Sequence, residues 1–151
     1  MLAIVTVASF GQKSNRTAER IDSICLSIDT NKNLVEGISE GTVTNKRGKT
    51  IGGFETRDLK DNDGLHRLRY VMSTDRTYTT TYYYKEKKVI KAIGRIEIWD
   101  SDHLKLIHSA QYYFDNDVLV TATGEIKEFS NSAHFFEEGQ KFQTDFYANK
   151  R

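Results

Sequence analysis

The residues of this chain that could do chemistry are few, and their spacing fits no known catalytic pattern. His66, His103, His108 and His134 form no HExxH-like pair, and a single cysteine excludes a multi-cysteine zinc ribbon or a disulfide framework. His108 and Ser109 are neighbours on a predicted strand and so point to opposite faces, which removes a nucleophile–base dyad. Cys25 lies on the apolar stripe of a predicted helix, where a buried, inert thiol is expected. Residues 29–40 begin Asp-x-Asn-x-Asn and place Glu40 at the twelfth position, an echo of a calcium loop. Leu34 replaces the glycine of the sharp turn, however, and Glu36 takes the usual apolar eighth position, so these residues are read as cap and turn. Asp61-Asn62-Asp63-Gly64 is read as a hairpin turn, because Leu59 and Tyr70 stand where oxygen ligands are needed. No phosphate-cradling glycine motif or dinucleotide fingerprint is present. The expectation is therefore no catalytic residue, no metal and no cofactor. Strand alternation does put His66 and His108 on the inward face, where they are either hydrogen-bonded core histidines or an acid–base or metal pair.

The chain does gather cations and aromatics on one strand face. In segment 89–99, Lys91, Arg95, Glu97 and Trp99 alternate with Ile90, Ala92, Gly94, Ile96 and Ile98. In 104–114, Lys105 and Tyr113 alternate with Leu104, Leu106, His108, Tyr112 and Phe114. In 65–74, Arg67 and Arg69 oppose Leu68, Tyr70 and Met72. One face is thus expected to carry Arg67, Arg69, Tyr83, Lys91, Arg95, Trp99, Lys105 and Tyr113, with Glu97 as its one acid. Guanidinium groups grip carboxylates, and tyrosine and tryptophan offer rigid contact area. Such a face suits an envelope protein, a peptide or an acidic glycan; the competing reading is a solvated face with ordinary cross-strand pairs. With 22 basic against 21 acidic side chains, the net charge of +1 argues against nucleic acid.

These residues must be positioned by strands, and the periodicity supplies them. Ala18, Ile21, Ile24, Cys25 and Ile28 recur at helical spacing behind a cap at Ser14 or Asn15. From about residue 36 the period falls to two, giving seven candidate strands at 36–44, 49–59, 65–74, 77–85, 89–99, 104–114 and 118–127. Short polar turns between them predict an antiparallel meander. The Gly52-Gly53 pair marks a bulge. Behind a cap at Ser130 or Asn131, Phe135, Gly139, Phe142 and Phe146 return to helical spacing, and a close approach to the sheet would explain the glycine. The expected fold is α+β: a roughly seven-stranded antiparallel meander with an N-terminal and a C-terminal helix packed on one face. A cavity between sheet and helices, used by a small enzyme or ligand carrier through His66, His108 and inward tyrosines, is the alternative to a binding module.

Leu2–Phe10 is apolar or small, too short to span a bilayer but of the length of a signal-peptide core. Ser9 and Gly11 place small residues behind a cut before Gln12. Residues 1–11 are accordingly read as the remnant of a signal and 12–151 as one domain; the competing reading is a buried first strand, Ala3–Ser9. The chain also resembles a group of small, uncharacterised exported proteins of Bacteroidota. The resemblance rests on Tyr82-Tyr83-Tyr84 and on Tyr112-Tyr113-Phe114 followed by Val118-Leu119-Val120. It implies a helix, antiparallel sheet and helix organisation and a periplasmic or secreted destination. It implies no activity.

Overall fold

A computed structural model describes residues 7–129 and 131–149, with backbone only for 7–11 and 126. A helix, α1 (Val7–Thr30), precedes seven strands: β1 (Val35–Thr44), β2 (Thr50–Lys60), β3 (Leu65–Ser73), β4 (Thr77–Lys85), β5 (Lys88–Asp100), β6 (His103–Asp115) and β7 (Val118–Gly124). A 3-10 turn (Ile126–Glu128) leads into the last helix, α2 (Ser132–Ala148). The strands form one antiparallel sheet in the order β1 to β7, the meander that the turn spacing predicts.

Local chemistry accounts for the element ends. Asn31 stops α1 by folding its side chain back to the Asn33 amide. The β4–β5 and β6–β7 hairpins turn through Glu86-Lys87 and Asn116-Asp117, all four at positive φ, the backbone that matches strand twist in two-residue loops. Asn131 caps α2 by accepting from the His134 amide, at one of the two predicted positions. Two boundaries differ from expectation. α1 is continuous from Val7, so neither Ser14 nor Asn15 starts it. β7 stops at Gly124, whose φ of 90° breaks the strand before residue 127. The predicted signal remnant lies largely outside the described residues. Val7–Ser9 are helical, so the alternative first strand does not form over its described part.

The two helices do not share a face. Successive strand residues point to opposite sides, and both aromatic runs are dealt out alternately. Tyr82, Tyr84, Tyr112 and Phe114 pack with Leu65, Leu68, Val89, Ala92 and Phe135 beneath α2. Tyr83 and Tyr113 pack with Ile21, Cys25 and Ile28 of α1 on the other side. The expected single buried face is replaced by a sheet held between two helices, because both faces of β4 and of β6 carry large side chains. A bulge opposite Tyr83/Tyr84 adds Ile90 to the α1 cluster, where simple alternation places it with Ala92.

On the α2 side the contact is ring against ring. Phe135 stacks on Tyr112 at 4.8 Å between centroids, Phe136 meets Phe114 at 5.2 Å, and Phe142 lies between Tyr70 and Tyr82. Gly139 lets this happen: a Cβ there would stand 2.8 Å from the Tyr82 ring and 3.0 Å from Val89. The predicted close approach of helix and sheet is thus present, and the Tyr84 hydroxyl donates to the Gly139 carbonyl at 2.9 Å.

Candidate interaction surface

The eight residues expected on one cationic, aromatic face separate into three groups. The first holds α1 to the sheet. Lys91 is buried, its side chain 8% exposed, and its Nζ lies 2.6 Å from Asp22 and 4.6 Å from the centre of the Tyr113 ring. The Tyr113 hydroxyl also donates to Asp22. Arg67 and the Tyr83 hydroxyl both donate to Asp29, at 2.6 and 2.9 Å. Arg67, Tyr83, Lys91 and Tyr113 are therefore occupied by two helix carboxylates. Burial pulls the Lys91 pKa down, and the Asp22 and Tyr113 hydrogen bonds outweigh it, leaving it above the ordinary lysine value. Burial first, then the hydrogen bond to Asp29, raises Tyr83. Cys25, between these clamps, is pushed up to about 12 by burial.

The second group, Arg69 and Arg95, lies on the same face beyond the helix. Each is half-exposed and each is matched: Arg69 by Glu55 at 3.9 Å, Arg95 by Glu97 at 3.1 Å. Arg57 on β2 faces Glu36 and Glu55, and its hydrogen bond holds the Glu55 carboxyl below the usual range. The expected positive field is therefore not formed. β1 and β2 contribute Glu36, Glu40 and Glu55 to this face and α1 contributes Asp22 and Asp29, so each cation has an acid beside it.

The third group, Trp99 and Lys105, sits on the β5–β6 hairpin, and here register decides. The two-residue turn Ser101-Asp102 pairs Asp100 with His103, Trp99 with Leu104 and Ile98 with Lys105. A bulge then shifts the ladder between Ile96 and Glu97, so that Glu97 faces Leu106 while Ile96 faces His108. Directly opposed residues share a face. Lys105 therefore leaves the predicted face, and Leu104 and Leu106, expected inside, join Trp99 and Glu97 on it.

This hairpin projects beyond its neighbours. β4 last pairs with β5 at Thr77–Glu97, and β7 last pairs with β6 at Gly124–Ala110. Ile98–Asp100 and His103–Lys105 consequently pair only with each other, as a two-stranded arm. One face of the arm and its root carries Trp99, Leu104 and Leu106, at 64%, 41% and 45% exposed. Sequence reasoning missed both leucines by carrying alternation straight through the bulge. The turn was the available signal, since a two-residue loop counted outward already pairs Trp99 with Leu104.

The two inward histidines do not meet. His66 sits at the β2–β3 turn, 2.9 Å from Asp61, and its hydrogen bond holds that carboxyl below the usual range. His108 lies toward the other end of the sheet, where it contacts Glu125 and, at 3.8 Å, Glu128. A cavity of about 300 Å³ does open between the start of α2 and strands β3–β5, lined by Tyr70, Tyr78, Thr80, Glu128, His134 and Glu138 among others. The Tyr82 hydroxyl donates to Glu138 beside it. Among the described residues no three His, Cys, Asp or Glu side chains are grouped to hold a metal ion, and no helix is long and apolar enough to cross a membrane. Comparison of the chain with protein-family models, with curated proteins and with solved structures finds no match.

Proposed function

We propose that this protein is an exported, non-catalytic interaction module that binds a protein partner through the apolar face of its β5–β6 arm. One observation carries the reading: Trp99, Leu104 and Leu106 form an exposed apolar face on a ribbon that none of the described residues covers. A two-stranded ribbon is at best marginal alone in water, so a surface that packs against it gives it the third layer it lacks. Tryptophan and neighbouring aliphatic side chains are the usual anchors of a protein interface. The pairing of Arg69 with Glu55 and of Arg95 with Glu97 favours a protein partner over an acidic glycan. A photoreactive phenylalanine analogue placed at position 99, in protein expressed in its own cells, tests this. The expected result is one cross-linked species that is lost on Leu106→Glu and absent when the analogue replaces exposed Lys32. The same set of products at both positions overturns the reading.

Export is proposed from the apolar run Leu2–Phe10 with Ser9 and Gly11 behind the cut, and from the resemblance to exported proteins. Mass spectrometry of protein made from its complete native gene should find a chain starting at Gln12 in the envelope or the medium. Intact Met1 on cytoplasmic protein would refute it.

The cavity beside α2 favours a second reading, a carrier for a small organic amine. Tyr70 and Tyr78 supply π-faces for a cation, and Glu128 and Glu138 supply carboxylates. Titration calorimetry against a panel of aromatic and aliphatic amines tests it. Heat that disappears on Glu138→Gln supports the carrier, and no heat from any member removes it.

A further inference from the structure

The two edges of the sheet are treated differently. β7 is short and has α1 packed against it, whereas β1 is paired to β2 on one side only, with no described strand on its other edge. Most of β1 is exposed, including Val35 and Ile38. Edge strands are normally protected by charged side chains, above all lysine, by proline, by bulges or by a covering element. β1 reads Val-Glu-Gly-Ile-Ser-Glu-Gly-Thr-Val-Thr, with no lysine, arginine or proline, and its one irregularity is at its last step, between Val43 and Thr44. Gly37 and Gly41 present no side chains of their own; Asp58 and Phe54 of β2 lie over them instead.

The only charges on β1 are Glu36 and Glu40, and they select a register. If a second β1 adds antiparallel with Ser39 opposite Ser39, then Val35 faces Val43, Gly37 faces Gly41, Glu36 faces Thr42, and Ile38 faces Glu40. No glutamate opposes another. Sliding two residues one way sets Glu36 against Glu40 twice, and sliding two residues the other way sets Glu40 against itself. Like charges directly opposite are destabilising, so the Ser39-centred register, with nine residues overlapped, is the longest one free of such a clash; a four-residue slide that also avoids it overlaps only seven. In that register Glu40 of the second copy also enters the row of Ile38 and Arg57, on the side of the sheet where Arg57 already gathers carboxylates.

We propose that the protein forms a twofold dimer through antiparallel β1–β1 pairing centred on Ser39, joining two seven-stranded sheets into one. The occupant of the edge is a second copy of this chain, because β1 can lie antiparallel on itself over nine residues with no glutamate facing another and with Glu40 of each copy brought into the row of the other's Ile38 and Arg57. The proposal rests on the β1 edge alone and is independent of the partner-binding arm.

The register makes the test specific. Analytical ultracentrifugation of the intact chain should give twice the monomer mass of 17.4 kDa. Under mild oxidation Ser39→Cys should form a disulfide-linked dimer, since opposed Cβ atoms lie about 4.5–5.5 Å apart, while the native Cys25 is buried and does not compete. Thr42→Cys alone should not cross-link, and Glu36→Cys with Thr42→Cys should. Ile38→Glu, at an exposed position, sets a second glutamate against Glu40 and should weaken dimerisation at least tenfold with an unchanged circular dichroism spectrum. Thr42→Lys, opposite Glu36, should tighten it. A monomer at every concentration, or a dimer indifferent to both charge changes, overturns the proposal.

Discussion

The two faces of the central sheet are held by different physics, although the same strands supply both. Tyr82 and Tyr84 go to one side and Tyr83 to the other; Tyr112 and Phe114 go one way and Tyr113 the other. Beneath α2 the tyrosines meet phenylalanine rings, and ring packing dominates, with the Tyr82 and Tyr84 hydroxyls tied at its edge to Glu138 and to the Gly139 carbonyl. Beneath α1 their counterparts reach over an aliphatic strip to two carboxylates. An aromatic face tolerates no loss of volume, whereas a charged clamp tolerates loss of volume but not loss of one partner. The difference teaches that a run of consecutive tyrosines in a strand does not define one buried face; what each tyrosine finds depends on what the opposing helix brings.

The largest effect should come from the ring side. Phe135→Ala empties the stack on Tyr112 and should cost about 3–5 kcal/mol, read from denaturant midpoints. On the clamp side Asp22→Asn leaves Lys91 buried without a carboxylate. It should cost about 1–2 kcal/mol, discounted because Asp22 is itself half-exposed. Lys91→Met, which removes the charge but keeps the stem, should stay within about 1 kcal/mol of the wild type. Equal losses for Asp22→Asn and Lys91→Met would show that the clamp is ordinary packing and erase the contrast between the faces.

Alkali sharpens the comparison. Cys25, pushed up from 9.0 to about 12, keeps its proton in the folded state after the unfolded chain has lost it. Its contribution is complete below about pH 9 and falls as pH rises towards 12, by at most about 1.4 kcal/mol per pH unit. Tyr82, Tyr83 and Tyr84, all raised first by burial, add the same sign above pH 10. Lys91, whose folded pKa is also raised, loses its contribution as pH climbs through that value. Stability measured from pH 8 to 11 should therefore decline, and Cys25→Ala should flatten the first part of the slope. An unchanged slope in that variant would place the alkaline loss entirely on the tyrosines and Lys91. The smallest effect belongs to Trp99→Ala, on the α1 side of the sheet but beyond the helix, which should move stability by no more than about 0.5 kcal/mol. A larger loss would mean that the arm is packed within its own chain.

The sequence made the sheet legible because its information is local. Polar turns sit between period-two runs, and each strand pairs with the next, so order and approximate bounds follow without any long-range guess. Phe135, Gly139, Phe142 and Phe146 likewise announce a helix that closes the aromatic side. Three things were illegible for physical reasons. Bulges opposite Tyr83/Tyr84 and Ile96/Glu97 invert the faces of everything beyond them, and no residue type marks them. The side on which α1 docks depends on Asp22 and Asp29 meeting Lys91, Tyr113, Arg67 and Tyr83, contacts that span up to 91 residues. The charge of the outer face depends on β1 and β2, whose glutamates join it only through the sheet. The interaction surface shifted accordingly: Trp99 stays in it, Lys105 leaves, and Leu104 and Leu106 enter.

The unbroken strand order also has a consequence in time. Each strand can join the sheet as soon as it is made, because its only upstream partner has just preceded it, and local contacts of this kind form early. α1 is synthesised before the sheet, yet its docking partners arrive late: Arg67 and Tyr83, then Lys91, then Tyr113, and finally Asp115, which receives Arg20. The helix must therefore carry Ile21, Cys25 and Ile28 incompletely covered until the 85 residues from Asn31 to Asp115 have followed it out of the ribosome. The helix is written before the sheet and is among the last elements to be seated, and for that interval its apolar stripe is open to whatever reads nascent chains.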